Sequence, residues 1–245
     1  MFDTYLVKPL FNLLTYVYGV LPLHDFGLAI IVFTIIIRAV LWPLVNKQLH
    51  SQRAIQKLQP EMTRIKKESK GDKQLEGKLV MELYKEKEIS PMAPILPLLV
   101  QMPVLIALFI VIKDIVANGA IAKMAYAPVK SLDFISHIVS GASKFNPSLL
   151  GLIDLSHPSI ILAAVAAGAQ FIQTRQIQAK QQPSDSQAQT MAMMTYLFPV
   201  LTFVIGLSLP GALALFWIIT SMVAILQQYL MLRRDVEELE NGGKK

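Results

Sequence analysis

The stretch IIVFTIIIRAVLWPLV, residues 30–45, is apolar throughout except for Thr34 and Arg38. Extended to residues 25–46, the run reaches the length of about 20 residues that an α-helix needs to cross a bilayer. A charged side chain within such a helix is costly and rare, and it usually has a partner or lines a hydrated cavity. The first question that this sequence raises is therefore which partner Arg38 has.

The rest of the chain is also apolar, since 53% of its 245 residues are hydrophobic, only 16% are charged, and the mean hydropathy is +0.48. Four further apolar runs predict an all-α polytopic membrane protein with five transmembrane helices. The absence of cysteine excludes disulfides, thiol catalysis and a lipid anchor on cysteine. The predicted segments are an interfacial amphipathic segment (1–22), transmembrane helix 1 (23–46), a cytoplasmic helical hairpin (47–90), transmembrane helix 2 (91–114), an outer-face loop with a short peripheral helix (115–157), transmembrane helix 3 (158–175), a cytoplasmic loop (176–190), transmembrane helix 4 (191–209), transmembrane helix 5 (210–232) and a cytoplasmic tail (233–245).

The N-terminal segment is broken by Pro9 and rich in phenylalanine and tyrosine. Aromatic side chains concentrate at membrane–water boundaries, so this pattern predicts an N-terminal interfacial helix along the bilayer surface. The alternative is a frayed beginning of the first transmembrane helix.

The block at 47–90 changes character, with 11 lysines and arginines against 7 acidic residues. The sequence ESKGDKQ, residues 68–74, predicts a break between two helices. Two pairs of opposite charge, Arg64–Glu68 and Lys78–Glu82, have the i,i+4 spacing of helix-stabilising ion pairs. The block therefore predicts a projecting helical hairpin, whose net charge suits acidic lipid headgroups, ribosomal RNA or water.

Basic residues also predict the orientation of the chain, because lysine and arginine concentrate in cytoplasmic loops. The hairpin, the 176–190 loop with the preceding Arg175, and the tail together hold 17 of these residues, whereas the opposite side holds 5. The N-terminus is therefore predicted to lie outside and the C-terminus in the cytoplasm.

Catalytic and transport motifs are missing from the sequence. There is no HExxH metalloprotease motif, no Walker A loop and no GxSxG serine motif. The predicted transmembrane helices hold no acidic residue and no histidine in their interiors, and proton relays usually need such groups. The sequence thus predicts neither enzyme nor pump, with no catalytic residue, no metal and no cofactor.

Two interpretations of Arg38 follow. Its side chain snorkels to the cytoplasmic headgroups or bonds carbonyls freed by a proline, or it lies in a water-filled groove open to the cytoplasm. A groove would offer an anion site, for a carboxylate on a polypeptide, a lipid phosphate or a small anion. Polar residues of several predicted helices could line it: Thr34, Gln101, Gln170, Gln173, Thr195, Thr202, Thr220 and Ser221.

Several motifs occur in the order typical of one family. They include DFGLAIIVFTIIIRAVLWPL (25–44), LPLLVQMPVLIALF (96–109), GLIDLSHPSIILAAVAAGAQFIQT (151–174) and LPGALALFWIITSMVAILQQYL (209–230). Together they cover nearly the whole chain, and the sequence resembles YidC-type membrane protein insertases. Ser221 departs from the family pattern, which often has asparagine there.

The resemblance implies a membrane protein insertase and foldase. Its cytoplasm-open groove would receive hydrophilic parts of nascent membrane proteins and release their apolar segments into the bilayer. The substrate-contacting residues would be Arg38, Thr34, Gln101, either Gln170 or Gln173, Trp217 and Thr220.

The partners implied are nascent membrane proteins and the lipid bilayer, with a ribosome and a Sec-type translocon as further partners and no specific nucleic acid. The location implied is a bacterial plasma membrane. The alternative function from the residues alone is a passive anion or lipid channel or transporter built around Arg38.

Overall fold

The computed structural model describes residues 1–88, 90, 96–116, 120–178 and 193–242. The chain is mostly helical, with one two-stranded ribbon in the described part. The elements are α1 (Lys8–Val20), preceded by a π-helical turn (Asp3–Val7), α2 (Phe26–Lys57), α3 (Gln59–Glu68), α4 (Lys73–Glu86), α5 (Leu96–Val116), α6 (Ala120–Met124), α7 (Ala127–Lys130), α8 (Asp133–Val139), β1 (Ser148–Leu149), β2 (Ile153–Asp154), α9 (Ile160–Gln178), α10 (Phe198–Gly206), preceded by a second π-helical turn (Met193–Leu197), and α11 (Gly211–Gly242).

Prolines explain the two π-helical turns. Pro9 and Pro199 each occupy one of the first two positions of the following α-helix, and a π-helical turn comes directly before each helix. Because proline cannot donate to the carbonyl four residues earlier, the ladder before it widens by one residue. The amide of Lys8 accordingly donates to the carbonyl of Asp3, five residues back.

The predicted interfacial segment is a helix that packs against α2 and α5. One face of α1 is deeply buried, with Phe11 and Leu14 fully covered and Tyr18 at 1% exposure. Tyr16 on another face is exposed. The segment is therefore amphipathic and belongs to the hydrophobic core of the protein on its buried side.

The first long helix, α2, continues through Pro43 and runs past position 46 to Lys57. Pro60 occupies one of the first two positions of α3, and the helix axis is interrupted at Leu58. The carboxylate of Asp72 caps α4 by accepting from the amides of Gln74 and Leu75 at 2.9 and 3.2 Å. The interruption predicted at 68–74 thus lies between α3 and α4, and a second one at Leu58 was missed.

The packing of α3 against α4 is light. Tyr84 of α4 donates to the sulfur of Met62 at 3.7 Å, and the ammonium of Lys87 lies 4.0 Å from a carboxylate oxygen of Glu61. Within α3, Nε of Arg64 and Oε1 of Glu68 form the predicted ion pair at 2.9 Å. The predicted pair between Lys78 and Glu82 does not form, and both side chains are free to point into solvent.

A peripheral layer of α6, α7, α8 and the β-ribbon covers one end of the long helices. The sequence predicted only a short helix there, near α8. Three buried polar side chains join this layer to α1 and α2. Asn12 accepts from the amide of Tyr126 at 2.6 Å, and the Asp25 carboxylate accepts from the amides of Leu28 and Leu150 at 2.8 and 2.5 Å. The amide of Asn146 donates to the Tyr18 hydroxyl at 2.9 Å.

Close backbone approach accounts for two glycines. A Cβ on Gly27 of α2 would lie 2.9 Å from the Cα of Leu149 in β1, and one on Gly206 would lie 2.9 Å from the Cβ of Ala163 in α9. By contrast, Gly168 has open space around it. The face of α9 that carries Ala163 therefore packs closely against α10, whereas the face that carries Gly168 does not pack against another helix of the described chain.

Two helices of the described chain are long and apolar enough to cross a membrane, over Phe26–Ser51 and Gly211–Met231, and a shorter apolar helix covers Thr195–Gly206. Many large apolar side chains on their outer faces are exposed, including Val40 at 70% and Val200 at 57%. Such exposure is what a lipid-facing surface requires. The apolar part of the last helix, Gly211–Met231, lies within the bounds 210–232 given to the fifth transmembrane helix, and α11 itself continues to Gly242.

Candidate functional site

The three helices α2, α9 and α11 run in the same direction. At one end, the amide of Gly211 donates to the carbonyl of His157 at 2.8 Å, and Asp25 holds the β-ribbon. At the other end, Nε2 of Gln227 donates to Oδ1 of Asn46 at 2.8 Å. We call the first the ribbon end and the second the glutamine end. Nε2 of Gln176 also lies at the glutamine end, 3.4 Å from the carbonyl oxygen of Ile225.

Arg38 lies in the interior of α2. It is 12 residues from Phe26 and 8 from Asn46, or about 18 Å and about 12 Å along the helix. The side chain is half-buried. In the part of the chain that the structure describes, its guanidinium makes no hydrogen bond and no ion pair.

Because α2 and α11 are parallel, the residues of α11 that lie at the same height along the bundle as Arg38 can be identified. Gln227 bonds Asn46 and also approaches the carbonyl of Trp42 at 3.4 Å. Counting back along both helices places Arg38 level with roughly residues 219–223 of α11. Thr220 falls in that interval, is 6% exposed, and its Oγ1 has no hydrogen-bond partner.

The unpaired hydroxyl of Thr220 differs from the other buried threonines. Thr34, one turn before Arg38, is fully buried and donates to the carbonyl of Ile30 at 2.6 Å. Thr15 in α1 donates likewise to the carbonyl of Phe11 at 2.8 Å. Thr34 is therefore satisfied by its own helix, whereas Thr220 keeps a free hydroxyl at the level of Arg38.

The glutamines of α9 lie at nearly the same level. Since Gln176 meets Ile225, Gln170 and Gln173 lie within about three residues of the level of Thr220. The side-chain oxygen Oε1 of Gln170 accepts a hydrogen bond from the hydroxyl of Thr202 in α10. Gln173 is half-buried and makes no hydrogen bond to any described residue. Gln173 is thus the freer of the two predicted candidates.

The remaining predicted residues are Gln101 and Trp217. Gln101 lies in α5, about 22 Å along the helix from Val116, and its Nε2 is buried without a partner. Trp217 is half-buried in α11 and packs against the hydrophobic core. Within the described chain, no hydrogen bond joins any two of the seven predicted residues.

Unpaired buried polar atoms are distributed unequally along the molecule. Of the six such side chains in the described part, Ser148 belongs to the ribbon end. Thr220 lies at the level of Arg38, Gln48, Gln176 and Gln228 lie toward the glutamine end, and Gln101 lies within α5. Native proteins rarely leave such atoms unpaired, and each one calls for an explanation.

Sequence reasoning missed Asn46 and Gln48, which extend the polar surface toward the glutamine end. The signal for Asn46 was present in the spacing, because Arg38, Trp42 and Asn46 recur every four residues and share a helix face. No comparable signal marks Gln48, whose burial depends on neighbours distant in the sequence.

Two titratable groups with shifted pKa values, Tyr18 and Asp154, lie at the ribbon end, outside the long apolar helices. Burial raises the pKa of Tyr18 despite the opposing hydrogen bond from the amide of Asn146, and the charge of Asp25 raises it further. The hydrogen bond from the Ser156 hydroxyl lowers the pKa of Asp154. Among the described residues, no group of three or more His, Cys, Asp or Glu side chains is placed to hold a metal ion.

Comparisons with known proteins place the chain among membrane proteins of one kind. The sequence pattern of the family described as 60Kd inner membrane protein matches residues 17–238. The chain is similar to the Membrane protein insertase YidC 2 of Bacillus anthracis, with 32% identity over 249 residues that cover 99% of this chain and 86% of that protein. It is similar to the Membrane protein insertase MisCA of Bacillus subtilis (strain 168), with 33% identity covering 99% and 85%. A Membrane protein insertase YidC of Fusobacterium nucleatum is 33% identical over 86% of this chain and 87% of that relative.

Proposed function

We propose, from the premise that this chain belongs to the 60Kd inner membrane protein family, that it is a membrane protein insertase and foldase. It is a mostly helical polytopic membrane protein, and the relatives that match over nearly their full length are named membrane protein insertases of bacteria. The comparisons favour this function over the passive channel that the residues alone left open.

The proposed arrangement in the bilayer has five transmembrane helices, with the ribbon end outside and the glutamine end at the cytoplasm. The excess of lysine and arginine in the 47–90 block, the 176–190 loop and the tail supports this orientation. α3 and α4 then form a cytoplasmic hairpin. Its surface is charged and its internal contacts are few, which suits a segment that meets incoming chains.

The observation that carries the proposal is the free guanidinium of Arg38 at the level of the free hydroxyl of Thr220. A polar segment that enters from the glutamine end can accept hydrogen bonds from these two groups, and no existing hydrogen bond of the protein has to break first. A carboxylate on that segment gains charge attraction from Arg38, which is stronger here than in bulk water. The apolar part of the substrate then leaves between helices into lipid.

The proposed groove comprises Arg38, Gln101, Gln173, Trp217 and Thr220. Thr34 and Gln170 support it from behind, because their side chains already bond Ile30 and Thr202. The proposal involves no catalytic residue, metal or cofactor, because lowering the barrier for a polar segment requires only hydration and charge. Nascent membrane proteins and the bilayer are the proposed partners. A ribosome and a Sec-type translocon are proposed as suppliers of the chain, and no specific nucleic acid is proposed.

The test is insertion into vesicles that contain the purified full chain. The substrate has a single apolar span and a short N-terminal tail carrying two aspartates, and its control carries two asparagines. Arg38→Ala should slow insertion of the aspartate substrate by about tenfold, the scale of one charge-assisted contact, and change the asparagine control much less. Arg38→Lys should retain most activity, because the role requires a charge and not a planar fork.

Two outcomes would count against the proposal. Insertion of the aspartate substrate by Arg38→Ala at the parent rate would assign Arg38 a structural role. Anion or lipid flux through the vesicles without any insertion would restore the channel function.

A further inference from the structure

A second feature of the glutamine end lies on the outside of the bundle. A cleft of about 660 Å³ runs between α9 and α11, within the range of roughly 300–1,000 Å³ typical of small-ligand pockets. It is open along one side, and its walls are almost wholly apolar. Its lining includes Phe171, Ile172, Arg175, Met222, Leu226 and Tyr229.

Arg175 supplies the charge of this lining. It lies in the last turn of α9, is exposed, and its Cζ is 5.6 Å from the centroid of the Phe171 ring. In the described chain it has no acidic partner. The guanidinium is thus held at the rim of an apolar cleft by a cation–π contact, with its five donors unused.

The floor of the cleft adds a polar group. Nε2 of Gln176 approaches the Ile225 carbonyl, while Oε1 of Gln176 is buried without a partner. Tyr229, one turn beyond Ile225, is 53% exposed. A tyrosine with an apolar ring and a free hydroxyl is typical of the boundary between hydrocarbon and headgroups.

We infer that this cleft is a binding site for an anionic phospholipid, with one acyl chain between α9 and α11 and the phosphate on Arg175. The planar guanidinium fits the oxygens of a phosphodiester in a bidentate manner. Charge complementarity selects this occupant over an apolar polypeptide segment. Residues that follow a segment on the cytoplasmic side are usually lysine and arginine, which Arg175 would repel. The inference rests on the bilayer placement of α9 and α11 and not on the insertion step.

The experiment measures lipid adducts on the full chain in detergent by native mass spectrometry. Phosphatidylglycerol, phosphatidylcholine and inorganic phosphate are titrated separately. The parent protein should retain phosphatidylglycerol in preference to phosphatidylcholine and should bind phosphate alone no more than background. Arg175→Gln should lower the affinity for phosphatidylglycerol by about tenfold, the scale expected when one charge-assisted contact is lost.

Matched variants separate the cleft from general charge. Arg64→Gln removes the same charge from an exposed position in α3 and should leave lipid binding unchanged. Met222→Trp, at a position that is 57% exposed in the cleft wall, should lower retention of both lipids by filling the acyl-chain space. It leaves Arg175 in place, so it also tests the cleft if Arg175→Gln fails to fold.

Three results would overturn the assignment. One is equal loss of phosphatidylglycerol in Arg64→Gln and Arg175→Gln. Another is binding of inorganic phosphate as tight as that of the lipid. The third is displacement of the lipid by an equimolar apolar helical peptide with lysine flanks, which would assign the cleft to polypeptide.

Discussion

Replacing Thr220 by valine separates the two roles that a buried hydroxyl can have. Valine has nearly the shape of threonine, so the substitution removes the hydroxyl without opening a cavity. Oγ1 of Thr220 is buried and unpaired, and a buried polar group without a partner costs about 1–3 kcal/mol. Inter-helix polar contacts within membranes average nearer 0.6 kcal/mol, so we expect a gain close to the lower limit, about 1 kcal/mol. For a chain of 245 residues this corresponds to a Tm higher by about 2–4 °C.

The same substitution should reduce function. If the Thr220 hydroxyl bonds the polar tail of a substrate, its loss removes about 1 kcal/mol of interaction, or about a fivefold decrease in insertion rate. A variant that becomes more stable and less active is the signature of a polar group kept unpaired for a ligand.

The assay pairs thermal unfolding in detergent with insertion of the aspartate-tailed substrate into vesicles. Thr15→Val is the matched control, because Thr15 is equally buried but bonds the Phe11 carbonyl, far from the glutamine end. The control should lose a little stability and keep its insertion rate. A Thr220→Val protein that is less stable than the parent, or that inserts at the parent rate, would refute the reasoning.

The remaining predictions concern the ribbon end. Gly27→Ala should lower the free energy of unfolding by about 1–3 kcal/mol, because the new Cβ meets the backbone of Leu149. Gly168 has open space around it, so Gly168→Ala should raise the free energy of unfolding by up to about 1 kcal/mol. Thermal unfolding of both variants checks this, and equal Tm values would contradict it. Tyr18→Phe should cost about 1–3 kcal/mol by leaving the Asn146 amide unpaired. Because the pKa of Tyr18 is raised in the folded state, its contribution to stability is fully present below pH 10 and is lost as the pH rises further. The free energy of unfolding, measured from pH 8 to 11, should therefore fall more steeply for the parent than for Tyr18→Phe. Parallel curves for the two proteins would contradict this prediction.

The long helices were predictable because their sequences are continuous and strongly apolar. The peripheral layer was not, since α7 has four residues and each strand of the ribbon has two. Such short elements carry no periodicity, and the ribbon turn depends on Leu150 and Gly151 at φ of 53° and 70°. Packing against α1 and α2 holds these elements in place, and that information is distant in the sequence.

The boundaries of helices were harder to predict than their existence. α2 continues past its apolar part because lysine and glutamine are good helix formers, so the change in polarity at 47 is not a structural boundary. The boundary is set instead by Pro60, which cannot donate to the carbonyl four residues earlier and whose ring clashes with that carbonyl. The composition of the sequence thus predicted where the apolar region ends, whereas the position of a proline determines where the helix ends.

For the site, residue types were predictable but their states were not. Arg38 was conspicuous because a charge interrupts an apolar helix. Nothing in the sequence distinguishes Thr34, which bonds its own helix, from Thr220, which does not. Nor does it show that Gln170 is held by Thr202 while Gln173 is free. Such differences depend on side-chain geometry that forms only when the helices pack.

The unequal distribution of satisfied polar groups has a thermodynamic meaning. At the ribbon end, Asp25, Asn12 and Tyr18 each have protein partners, so a polar ligand there would have to break a bond before it could form one. Near Arg38 and Thr220 no bond has to break, and the cost of the unpaired groups has already been met in folding. Under the proposed function, an incoming polar segment would therefore regain free energy at that level that it would lose elsewhere in hydrocarbon. This gradient favours entry from the glutamine end as far as Arg38, and among the described residues only Ser148 at the ribbon end offers an unpaired buried group beyond it, so we expect the segment to stop within the bilayer and not cross.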